Sequence, residues 1–154
     1  VAGMCLYHPA IQCHYEAQAD HRSVLARPGI WDPSDCFTCL IAMQRYKVFN
    51  EVMLKHTDMM FEKFPDCLKV AFIDHELKGH AAAKRDNVAA HQRRRYFSCL
   101  IDQSCRKDES GKRVPKFRVE LPGYPILGDG KGDNQNTAVP FTRGSFVQCI
   151  DANQ

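Results

Sequence analysis

The sequence predicts an α/β domain with a mostly parallel sheet and an inserted β-hairpin. Two apolar runs, CFTCLIAMQRY from Cys36 and LKVAFID from Leu68 to Asp74, enclose a helical pattern, and a later pair of strand-like segments flanks a charged turn. A strand, a helix and a strand in that order almost always close as a right-handed crossover with the strands parallel.

Residues 1–35 hold single apolar residues broken by Pro9, Pro28, Gly29 and Pro33, and read as a loop-rich lead-in. Phe37, Cys39, Leu40, Ile41, Ala42 and Met43 form a compact apolar run that fits a buried strand. Asn50 is a good N-cap, and Met53, Met60 and Phe64, with His56 between them, recur at helical spacing before Pro65, which predicts a helix over 51–63. Met53, Met59 and Met60 read as core filler, and His56 as a packed or half-exposed side chain rather than a metal ligand. LKVAFID is the second buried strand. Residues 75–94 turn to Lys, Arg, His and Ala without an apolar face, an exposed insertion. Tyr96 to Asp102 and Lys116 to Leu121 flank RKDESGKR as a hairpin with a longer loop, and Pro122, Gly123 and Pro125 end its second strand. Phe146, Val147, Cys149 and Ile150 read as a last short buried strand that runs into Asp151.

A chain of 154 residues is one domain by length and can bury a core. Its 44% hydrophobic and 25% charged residues are those of a folded chain, and a net charge of +3 is too small to argue for nucleic acid or a membrane surface. The run Arg93, Arg94, Arg95, followed by Tyr96 and Phe97, reads as a solvated face. Eight cysteines fall short of a disulfide scaffold, and several lie in apolar runs, which points to thiols in a reducing compartment. No run approaches the ~18 apolar residues of a membrane span. Cys5, His8, Gln12 and His14 interrupt the N-terminal region where a signal peptide would lie. With no helix after Asp151 to close its βα unit, the sequence reads as a piece of something longer.

The chemistry concentrates near the end of the chain. Gly128-Asp129-Gly130 permits tight turns and close approach to a ligand, and Lys131 can meet a diphosphate as a point charge. Neither a phosphate-binding GxxxxGK[ST] loop nor a calcium loop fits the spacing. Asp133 or Asn134 caps a short helix through Ala138 in one reading, and a polar surface turn fits the same composition. Asp151, at the carboxyl end of its strand, reaches the crevice where open α/β sheets bind ligands, although Asp151 with Asn153 also reads as an ordinary turn. From a different class, Cys36-x-x-Cys39 and the cluster Cys5, His8, Cys13, His14 offer a small zinc-binding or interaction module. That cluster lacks a standard finger spacing, and Cys39 lies within an apolar strand, which favours core cysteines.

The segments CFTCLIAMQRY, FPDCLKVAFID, RYFSCLID, PKFRVELPGYPILGDGKGDNQNTAVPFTRG and FVQCIDANQ, in that order, resemble the catalytic domain of 1,3-β-glucan synthases (callose synthases). The likeness covers about residues 36–154, apart from about 75–94, and is most specific in PILGDGKGDNQN followed by TRG and IDANQ. It implies the donor-side part of a GT-A-type glycosyltransferase domain on the cytosolic face of a plasma-membrane enzyme. That enzyme would transfer glucose from UDP-glucose to a growing β-1,3-glucan chain, and a small-GTPase regulatory subunit is implied as a partner. On this resemblance Lys131 contacts the donor diphosphate, Asn134 and Asn136 match a K-x-x-N-x-N loop, and Gln44, Arg45 and Asp74 line the nucleotide side. Asp151 takes the position of the first acid of a D-x-D, where it would hold the sugar or a Mg²⁺ or Mn²⁺ ion. The sequence departs from the family at Thr137, where His is common, and at Pro140, where an aliphatic or aromatic residue is common. Inversion at the anomeric carbon needs a general base, and no residue of this chain is assigned that role.

Overall fold

The structure, a computed structural model, describes residues 9, 10, 13, 17, 38–77, 93–126, 131–144 and 146–149. The chain divides into two units, Cys39–Thr142 and a second made of Val1–Thr38 with Arg143–Gln154. In the second, Pro9, Ala10, Cys13 and Ala17 are helical and exposed, where the prolines predict loop.

The first unit is built on a four-stranded sheet in the order β1 (Cys39–Ala42), β2 (Leu68–Leu77), β3 (Arg94–Ile101), β4 (Phe117–Glu120). Helix α1 (Glu51–Lys63) connects β1 to β2, and α2 (Lys131–Ala138) follows β4 and runs into a 3₁₀ turn at Val139–Phe141. β1 and β2 are parallel, with Cys39 opposite Leu68 and Ala42 opposite Ala71. β2 with β3 and β3 with β4 are antiparallel, so the sheet is mixed rather than mostly parallel. The crossover helix that a parallel pair requires stands only between β1 and β2 among the described residues, whereas the turn-built connection from β3 to β4 suits antiparallel neighbours.

Helix α1 has the predicted bounds, and Asn50 caps it by accepting a hydrogen bond from the Met53 backbone N–H at 3.0 Å. Of the predicted stripe Met60 and Phe64 are buried, but Met53 is not. Leu54, Thr57, Met60 and Phe61 face inward, while Met53, Met59 and His56 are exposed. Counting from Leu54 instead of Met53 turns the stripe by about 100°. The adaptable Met side chains at 53 and 59 therefore stay outside. β2 runs three residues beyond the predicted strand: His75, Glu76 and Leu77 pair with Tyr96, Arg95 and Arg94. The apolar run at Phe146 forms no strand over 146–149, and Phe146 is 95% exposed. An apolar run makes a strand only where a neighbour takes its backbone hydrogen bonds, which local pattern cannot reveal.

Side chains on alternate strand positions serve the two faces. On one, Ala71 and Leu100 pack with Ala138 and Phe141, and Leu40 and Ala42 lean against them, so α2 and its 3₁₀ turn cover the centre of the sheet. On the other, Phe72 meets the Tyr46 ring with centroids 4.9 Å apart. The Tyr46 hydroxyl accepts a hydrogen bond from the Arg113 backbone N–H at 2.9 Å, tying the β3–β4 loop to that face. The loop turns at Gly111, whose φ of +77° is a conformation that side-chain-bearing residues resist. Asp108 organises it by accepting hydrogen bonds from Ser110 and from the Lys112 backbone, and these hold its carboxyl below the usual range.

Candidate functional site

The site is built at the carboxyl end of β1. There the backbone leaves the parallel ladder after Met43, whose N–H donates to the Ala71 carbonyl at 2.8 Å. Gln44 follows, and its carbonyl accepts from Ile73 N at 3.3 Å, which extends the attachment to β2. Its side-chain amide donates to the Ile126 carbonyl at 3.3 Å, so Gln44 holds the chain where it enters the glycine-rich loop. Arg45 is exposed and opens the 3₁₀ turn Tyr46–Val48.

Helix α2 begins at Lys131, earlier than the predicted cap at Asp133 or Asn134, and Asp133 lies in its first turn, where a carboxylate suits the helix dipole. Only the backbone of Lys131 is described. Asn134 docks the helix on the strand: its Nδ2 donates to the Ala42 carbonyl at 3.1 Å. The Asn134 Oδ1 is buried with no hydrogen-bond partner among the described residues, a condition that costs about 1–3 kcal/mol and marks where a donor belongs. Asn136 is exposed. Asp151 and Asn153 lie outside the described residues.

Asp74 departs from its expected place. It is inside β2, opposite Phe97, and not at the strand's end. It shares the Phe72 face, away from α2, and its carboxylate lies 3.5 Å from the Lys47 ammonium and 4.0 Å from the Arg118 guanidinium. Arg118 also lies over the Phe97 ring and bonds Glu76 at 3.1 Å. Beneath this cluster, burial first and the Asp74 charge second push the Cys99 thiol up to about 11. Gln44 and Asn134 thus each make a backbone-carbonyl bond at the carboxyl end of β1, Gln44 to Ile126 and Asn134 to Ala42, while Asp74 faces the opposite side of the sheet.

Two residues that sequence reasoning did not single out as site residues support α2. Ser98, fully buried on β3, donates from its hydroxyl to the Thr137 carbonyl, and the Thr137 hydroxyl donates to the Asn134 carbonyl at 2.8 Å. A serine between the apolar residues of RYFSCLI was the available signal, since a hydroxyl in a buried strand needs a partner.

The zinc alternative is not supported. Cys39 sits in β1, and burial, then the neighbouring Cys67, push its thiol up to about 11, the opposite of what a thiolate ligand needs. Among the described residues no group of three or more His, Cys, Asp or Glu side chains is placed to hold a metal ion. Cys5, His8, His14 and Cys36 lie outside the described residues, and Cys13 is exposed.

A βαβ crossover, an antiparallel extension and a helix docked at the carboxyl end of the first parallel strand define an α/β domain with a mixed four-stranded sheet. The 1,3-beta-glucan synthase component family matches the chain over residues 1–154, and the chain belongs to that family. It is 41% identical over 118 residues to the 1,3-beta-glucan synthase component FKS1 of Aspergillus niger and 42% identical over 118 residues to the 1,3-beta-glucan synthase component bgs1 of Schizosaccharomyces pombe. It is 32% identical over 128 residues to callose synthase 4 of Arabidopsis thaliana. Each match takes in 77% of this chain and 6% of the relative, so the chain spans about 6% of the length of these relatives. The family match includes residues 1–35, which carry none of the segments that show the resemblance in the sequence. No helix among the described residues is long and apolar enough to cross a membrane.

Proposed function

We propose that this chain is the donor-side part of a GT-A-type glycosyltransferase domain in a 1,3-β-glucan synthase that uses UDP-glucose. The observation that carries the site is the docking of α2 through Asn134 on the end of β1, which sets the start of the helix, at Lys131, beside the strand end. Lys131 neutralises the departing diphosphate, and the backbone N–H groups of the first turn of α2 add a favourable dipole. Both act as preorganised electrostatics, the main demand of glycosyl transfer from a nucleotide sugar. The unpartnered Oδ1 of Asn134 accepts from a donor hydroxyl, with Asn136, Gln44 and Arg45 around the nucleotide, while Asp74 acts from the far side of the sheet only by holding Lys47 and Arg118. Asp151 orients the glucose. With Asn153 it supplies one carboxylate, which does not by itself complete the oxygen shell of Mg²⁺ or Mn²⁺, and no step is assigned to a metal.

The parent enzyme on this reading lies in the plasma membrane with this segment on the cytosolic face, elongates a β-glucan chain and takes a small-GTPase subunit. UDP titrations test the site. Lys131→Ala and Asp151→Ala each abolish binding, and unchanged titrations in both variants overturn the assignment. The chain alone, about 6% of the length of its relatives, is expected to incorporate no labelled glucose into insoluble polymer; incorporation would contradict that.

A further inference from the structure

The contacts around α2 form a continuous strap. Ser98 on β3 donates to the Thr137 carbonyl, Thr137 donates to the Asn134 carbonyl, and Asn134 donates to the Ala42 carbonyl at the end of β1. The first and last of these bonds tie the main chain of α2 to β3 and to β1, while the Thr137 bond lies within the helix itself. Below it Ala71, Leu100, Ala138 and Phe141 pack together, with Leu40 and Ala42 beside them. Hydrophobic contact is non-directional and holds a helix down without fixing its rotation. Hydrogen bonds require an aligned donor and acceptor, and so select one rotation and one register.

We propose that Ser98 and Asn134 are positioning residues that set the rotation of α2, and through it the placement of Lys131 toward the donor diphosphate. This rests on the donor-site reading above. Lys131 precedes Asn134 by three residues, close to one helical turn, so a rotation of α2 moves Lys131 directly. Ser98 is the link open to a direct test, because Ser98→Ala removes only the hydroxyl that bonds across to α2, and Thr137→Val, which removes a bond inside the helix, is its control.

The experiment combines backbone amide exchange over 132–141 with UDP titrations, UDP being the probe, on the unaltered chain and on Thr137→Val, Thr137→Ser, Ser98→Ala and Lys131→Ala. Ser98→Ala is expected to speed exchange in α2 and to weaken UDP binding about fivefold, the net worth of one hydrogen bond. Thr137→Ser, which keeps the hydroxyl, and Thr137→Val, which removes a bond within α2 alone, keep the UDP affinity; a loss in Thr137→Val as large as in Ser98→Ala would mark a general weakening of the helix and overturn the positioning role. Unchanged exchange in Ser98→Ala overturns the strap. Faster exchange in Ser98→Ala with undiminished UDP affinity, while Lys131→Ala loses binding, overturns the positioning role and leaves the donor site standing. If Lys131→Ala binds UDP as well as the unaltered chain, the donor-site reading falls and the positioning role with it, whereas the exchange rates still decide whether the strap holds α2.

Discussion

Replacing Arg113 by Met should destabilise the domain by about 3 kcal/mol, within roughly 2–4. The side chain is 9% exposed and its partner Asp58 19%. Its Nε and Nη2 donate to the Asp58 Oδ1 at 3.1 and 2.8 Å, and its Nη1 donates to the carbonyls of Gln103 and Cys105 at 2.8 and 3.0 Å. The guanidinium also lies over the Phe61 ring, 4.8 Å from its centroid. The charged pair contributes about 1.5–3 kcal/mol, and each stranded carbonyl about 1 where water only partly replaces the donor. The ring contact adds about 0.5–1 kcal/mol. Against these stands the desolvation of the guanidinium, which Met no longer incurs, and Asp58 keeps Lys107 as a second cation. At about 2–4 °C per kcal/mol for a chain of this size, the melting temperature falls by about 6–12 °C. Urea and thermal unfolding followed by circular dichroism measure the change. Arg113→Met combined with Asp58→Leu should be less destabilised than Arg113→Met alone, because no carboxylate is left without its principal partner. A loss under about 1 kcal/mol in the single variant would refute the view that Arg113 locks the hairpin loop to α1.

Two further outcomes follow from the titrating groups. Burial opposes ionisation of Asp102, but hydrogen bonds from Ser104, Lys116 and Cys105 outweigh it and hold its carboxyl below 3.8. A depressed folded value gives stability that is present above the unfolded value and lost as pH falls through the folded one. Urea midpoints should therefore drop as pH is lowered below 3.8, and Lys116→Met should flatten that drop; an unchanged slope would count against the pairing. Iodoacetamide at pH 8 should modify the exposed Cys13 and Cys149 well before Cys39 and Cys99, whose thiols are pushed up to about 11, and mass spectrometry of timed samples reads the order.

The legible parts of the fold were those fixed by local chemistry. Asn50 and Pro65 bracket α1 because a cap and a helix breaker act within one turn, and the runs at Leu40 and Val70 gave strands because nothing but burial suits them. The hairpin of β3 with β4 was legible, but the antiparallel pairing of β3 with β2 was not, because that depends on which neighbour a strand finds and not on its own residues. The helix stripe was legible at Met60 and Phe64, which are buried, but not at Met53 and Leu54: both registers offer apolar residues at helical spacing, and only the packed neighbours choose between them. At the site, Lys131 and Asn134 stood out by composition and by resemblance. Asp74 was misplaced because β2 continues through His75, Glu76 and Leu77, polar enough to look like the end of a strand, yet paired across to β3.

The mixed sheet changes what the hairpin is for. In a mostly parallel sheet the hairpin would be an addition at the edge, remote from a ligand at the strand ends. Here β3 lies directly beside β2 and supplies both Leu100, under α2, and Ser98, which bonds its Thr137 carbonyl. β4 in turn pairs Val119 with Ser98 and Phe117 with Leu100, so it braces the two residues of β3 that carry the helix. The antiparallel half of the sheet therefore acts on the carboxyl end of β1 through α2. On the donor-site proposal, a change in β3 far along the chain from Lys131 should reach UDP binding as a change in the loop itself does, and for that reason the buried Ser98 is a sensitive position to alter.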